Sequence, residues 1–215
     1  MSRLIQLIKW EYLIQNRINN LTQYLVIFFS FCTFSLTLIN EQENITKFSM
    51  TFSIILLPLA LMNLPHIIFK QDLEDGNLEL LLTNFTANEI IISKFLTICL
   101  TSISSTVLNL PIIYFFFNIS LATLTYILLV LILLLILASA LLILIAAIQS
   151  YFRANTYLLP VLIMPLLMPN IILGGIIIHN PNNLSLTFCM LGINIILLPI
   201  ILFLAAYLIS NIYNI

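Results

Sequence analysis

Four of the eight acidic residues, Asp72, Glu74, Asp75 and Glu79, crowd into one polar island, Phe69-Lys70-Gln71-Asp72-Leu73-Glu74-Asp75-Gly76-Asn77-Leu78-Glu79-Leu80-Leu81-Leu82. Cytoplasmic segments beside a bilayer usually carry cations drawn to anionic lipid, so an acidic cluster there is more than a solvated face. Acids flanking an apolar helix face suit docking to a partner groove of complementary charge. Within the island Leu78, Leu81, Leu82 and Phe85 follow the i, i+3, i+4, i+7 spacing of a single helix face. Gly76 precedes that run, where a chain can turn before a new helix. The spacing predicts a short amphipathic helix near residues 70–86, offering its leucine face to a protein outside the bilayer. On that reading Leu78→Asp uncouples the partner and leaves the chain inserted.

Little other chemistry is available. From residue 95 onward the only charged side chain is Arg153. Proton and ion pumps usually keep acidic or basic groups inside their spans, because such groups are expensive in lipid. No Gly-x-x-x-x-Gly-Lys-Ser/Thr phosphate cradle occurs, so ATP is not bound that way by this chain. His66 and His179 could each in principle ligate haem iron. Nothing pairs them at a spacing that brackets a metal, and a lone histidine is more often a hydrogen-bonded structural residue. Cys32, Cys99 and Cys189 lie far apart in apolar runs and read as small buried hydrophobes. The expectation is a non-catalytic chain with no catalytic, cofactor or metal residues of its own.

The elements that must position the island are lipid-facing. Hydrophobic residues make up 62% of the chain and charged residues 7%, against roughly 25% charged in ordinary soluble domains. A soluble fold of this length could not hide so much apolar surface. With a net charge of −1 and no basic patch interleaved with aromatics, nucleic acid is not a partner. Residues 1–20 read as an interfacial helix, with Leu4, Leu7, Ile8, Tyr12 and Ile14 at helical spacing and Arg3, Lys9 and Arg17 near lipid phosphate.

Six apolar runs then reach spanning length, near 21–39, 48–69, 90–117, 121–148, 157–178 and 185–211. The fold class expected is an all-α integral membrane protein, a single transmembrane domain over 1–215. With the N-terminus inside, Arg3, Lys9, Arg17, Lys70, Lys94 and Arg153 fall on the cytoplasmic side and only Lys47 outside, which places both termini and the island in the cytoplasm. Thr86-Ala87-Asn88-Glu89 has capping-box spacing and marks the start of the third span. Pro160, Pro165 and Pro169, close to Gly174-Gly175, predict a broken or re-entrant fifth span.

Phe69-x-x-Asp72-x-x-Asp75-Gly76-x-Leu78-Glu79-x-Leu81, set between spans two and three of such a chain, resembles the CcmB family, the permease subunit of the cytochrome c maturation system. The likeness covers essentially the whole architecture, and its specific part is this motif. It implies ABC-2 type permease architecture in a bacterial or mitochondrial inner membrane, with a separate CcmA-like ATPase subunit. CcmC-like and CcmD-like membrane proteins and a second copy of the chain would complete the assembly. The resemblance further implies that the complex, not this chain, handles haem and ATP, and that ATP hydrolysis releases a haem-loaded chaperone. By the matched motif Phe69, Asp72, Asp75, Gly76, Leu78, Glu79, Leu81 and Leu82 would form the coupling helix lodged in the ATPase. Two rivals stay open: an ABC-2 permease for a glycan or drug, and a structural subunit of an energy-converting membrane complex.

Overall fold

The computed structural model describes residues 2–17, 20–38, 55–56, 58–61, 65–117, 120–152, 161, 164–179 and 184–212. Among these the chain is helical, with no strand. Residues 39–47 with Lys47, half of the second expected span, residues 153–160 with Arg153 and Pro160, and residues 180–183 lie outside the described residues, as do the side chains of Lys70, His66 and His179.

Helix α1 runs Ser2–Arg17 and α2 Leu21–Leu38. Helices α3 (Pro65–Glu74) and α4 (Asn77–Asn84) form an elbow. Then come α5 (Ala87–Phe117) and α6 (Leu121–Phe152), a 3-10 turn at Met164–Leu166, α7 (Met168–His179) and α8 (Leu184–Ser210). Three of these helices, α5, α6 and α8, are long and apolar enough to cross a bilayer, and α2 and α7 carry shorter apolar stretches. The 32 residues of α6 span about 48 Å at 1.5 Å per residue, more than a hydrocarbon core of about 30 Å.

Helix α6 is the axis. It is apolar on every side, and its spanning segment is 78% buried against 22% for α8. A helix apolar all round belongs in a core or in lipid, and these two divide those roles. Around α6 pack α3, α5, α7 and α8, while α1 and α2 lie against α5. Helix α5 carries a buried seam of small polar residues, Ser93, Thr97, Thr101, Ser102, Ser105 and Thr106. All six hydroxyls bond back to carbonyls three or four residues earlier, so none of these donors is stranded in the apolar interior. Small side chains let neighbouring helices close in. Accordingly Ser30 of α2 donates to Asn109 Oδ1 at 2.7 Å, and Cys99 meets Ser139 of α6 at 2.8 Å.

Candidate functional site

The elbow is set by Gly76. Its φ of +70° lies in the left-handed region, which costs a residue with a Cβ roughly 1–2 kcal/mol. The Gly76 N–H donates to the Leu73 carbonyl at 3.3 Å, closing α3, and α4 starts at the next residue. At the far end the Phe85 N–H donates to Leu81 O at 2.8 Å as the backbone turns extended. A capping box follows: the Thr86 N–H donates to Glu89 Oε2 at 2.9 Å and the Glu89 N–H to Thr86 Oγ1 at 3.3 Å. So α5 begins at Ala87, as the threonine-to-glutamate spacing predicts.

Two surfaces of the elbow differ sharply. Leu78 is fully enclosed and Leu81 is buried, both part of the chain's own core, with Leu82 and Phe85 packed against it. Phe69 is also fully enclosed. The outer surface carries Glu74, Asp75, Glu79, Thr83 and Asn84, with Leu80 at 64% exposure. The expectation that the leucine stripe faces outward is therefore corrected: it packs on this chain, where α4 lies against α3 and α5 and α3 lies against α6. Leu78→Asp accordingly buries a carboxylate in a sealed core and is expected to cost the fold, not the partner alone.

Beneath the elbow lies a buried ionic cluster. Lys94, 3% exposed on α5, places Nζ 2.6 Å from Asp72 Oδ2 on α3 and 3.0 Å from Glu11 Oε1 on α1. Nζ also donates to the Ile68 carbonyl at 3.2 Å and stands 5.2 Å from the centre of the Phe69 ring. Glu11 is 2% exposed. Burial pushes its carboxyl above the ordinary range, Lys94 pulls it back, and the Asp72 carboxylate adds a further upward push. Gln15, one turn on from Glu11, is buried with Oε1 unpartnered among the described residues.

The chain matches the family described as "CcmB protein" over residues 2–209, nearly its whole length. It belongs to the CcmB family. Members supply a transmembrane permease component for haem transport in cytochrome c biogenesis. The chain is also 46% identical to an uncharacterized protein of Rickettsia conorii and 45% identical to one of Rickettsia prowazekii, each alignment covering all of both chains. No solved structure matches.

Of the residues that the CcmB motif singles out, the structure brings all into one elbow but divides them by direction. Asp75 and Glu79 are exposed, Gly76 is the pivot, and Phe69, Asp72, Leu78, Leu81 and Leu82 turn inward to differing degrees. From the sequence Lys94 was legible only as a cytoplasmic cation, and Glu11 had no assigned role. A signal was nevertheless present. Leu7, Glu11 and Gln15 repeat at i, i+4, i+8, so the acid occupies the buried stripe of α1 itself.

Proposed function

We propose that this chain is the CcmB-type permease through which a separate, CcmA-like ATPase subunit drives haem handling and release of a haem-loaded chaperone. The proposal sets the chain in a bacterial inner membrane with both termini cytoplasmic and α1 in the headgroup layer. CcmC-like and CcmD-like proteins and a second copy of this chain complete the complex, and haem is its cargo.

The observation that carries the reading is the division of the elbow: Leu80, Asp75 and Glu79 are exposed on a short helix whose opposite face is locked into the bundle. A protruding leucine ringed by acids suits a partner groove with an apolar floor and a cationic rim. Because the elbow joins directly to α5 and packs on α6, a push on it tilts spanning helices. The chain makes and breaks no bond in this scheme; it receives mechanical work.

Tagged wild-type chain should retain the ATPase on affinity capture from solubilised membranes, and Leu80→Asp should lower that retention about tenfold or more with the chain still inserted. Undiminished retention together with normal c-type cytochrome maturation in Leu80→Asp cells defeats the proposal.

A further inference from the structure

A lysine ammonium has three N–H donors, and Lys94 spends all three inside this chain. Its acceptors are a Glu11 oxygen, Asp72 Oδ2 and the Ile68 carbonyl, drawn from α1 and α3. An ammonium satisfied in this way has no donor left for a substrate or a partner. What it does is tie. The segments joined are distant in sequence, 83 residues from Glu11 and 22 from Asp72.

The geometry around α4 gives the tie a use. Helix α4 hangs between two attachments: Gly76 joins it to α3 four residues after Asp72, and Phe85-Thr86 joins it to α5 eight residues before Lys94. Both attachments therefore lead to helices gripped by the same ammonium. Without the grip, Gly76 would let α3 and α5 swing independently when α4 is pressed. With it, α1, α3 and α5 have to move together. Phe69 covers the cluster, and with water thinned out the charges attract more strongly than at a surface.

We propose that Glu11, Asp72 and Lys94 are positioning residues, which convert a push on α4 into joint motion of α1, α3 and α5. This rests on the coupling reading given above. It removes Asp72 from the docking surface and gives α1 a mechanical part, that of a strut carried along by α5.

The test uses the assembled complex. Asp72→Asn and Glu11→Gln keep shape and remove one charge each, and the exchanged pair Asp72→Lys with Lys94→Asp keeps the charges but trades their helices. Three quantities are read: ATPase retained on capture, mature c-type cytochrome formed per ATP hydrolysed, and the separation of spin labels at Ile5 and Thr83 with and without nucleotide trapping. Asp72→Asn is expected to retain the ATPase yet lower the yield per ATP about tenfold, with the label separation broadened. The exchanged pair should recover part of that loss, because it restores the α3–α5 pair but sets a second carboxylate beside Glu11, while Lys94→Asp alone should recover none. Normal yield and an unbroadened separation in Asp72→Asn overturn the proposal. So does loss of the ATPase from Asp72→Asn, which would return that carboxylate to the docking surface. Should the exchanged pair fail to insert, the label separation in Asp72→Asn decides. Failure of the wild-type chain to retain any ATPase is a different result, which sinks the coupling reading first.

Discussion

The ammonium of Lys94 and the amide pair Asn170–Asn194 are both buried, yet they tie different helices by different means. Asn170 Nδ2 on α7 donates to Asn194 Oδ1 on α8 at 2.6 Å, and Asn194 Nδ2 donates to Leu133 O on α6 at 2.8 Å. This tie is neutral and joins helices midway along α6. The other is charged and sits two turns inside α5, beside the elbow. A buried charge is tolerable only while fully paired, whereas a buried amide tolerates partial satisfaction. Asn170 Oδ1 has no partner among the described residues. The difference suggests a division of labour in which neutral pins set packing and the ionic pin makes three helices answer to one another.

The largest effect should come from Lys94→Met. It strips the shared cation from the buried Glu11 and the half-buried Asp72 and should destabilise the chain by about 3–5 kcal/mol, seen as lost thermal stability in detergent. Adding Glu11→Gln and Asp72→Asn to the same chain should recover most of that loss, because no unpaired charge then remains. Asn194→Leu removes two interhelical hydrogen bonds and should cost only about 1.2 kcal/mol in the same assay, at the usual scale of about 0.6 kcal/mol each between membrane helices. If the two single variants cost the same, the comparison between the ties collapses.

How much of this could be read beforehand depends on whether a signal was local. The capping box at Thr86 and Glu89, the turn at Gly76 and the long apolar runs of α5, α6 and α8 are local patterns, and each appears where the sequence puts it. The direction of the leucine stripe was not local. Periodicity reveals that Leu78 and Leu81 share a face but not what covers it, and here the chain's own core does. The boundary expected at Lys70 also differs, since α3 runs unbroken from Pro65 to Glu74 through that position. Hydropathy assigns Lys94 to an aqueous edge because it scores one residue at a time. Only the fold brings Glu11 across 83 positions to neutralise it.

The smallest prediction separates the two ties by pH. The amide pair has no proton to gain or lose, so its contribution to stability should be level. Glu11 differs, because burial lets the folded chain hold its proton at a higher pH than the unfolded chain does. The folded state then binds more protons than the unfolded state between the ordinary carboxylate value and the raised one. Stability from this group is accordingly greatest below that window and falls as pH rises through it. Replacing Glu11 with Gln should flatten that part of the stability profile just above the ordinary carboxylate range, while Asn194→Leu lowers the profile without changing its slope. Melting curves of the three proteins across that range make the comparison, with every other titrating group held in common. Parallel slopes for wild type and Glu11→Gln would mean that Lys94 offsets burial, and that the carboxyl holds its proton no more tightly in the fold than in the unfolded chain.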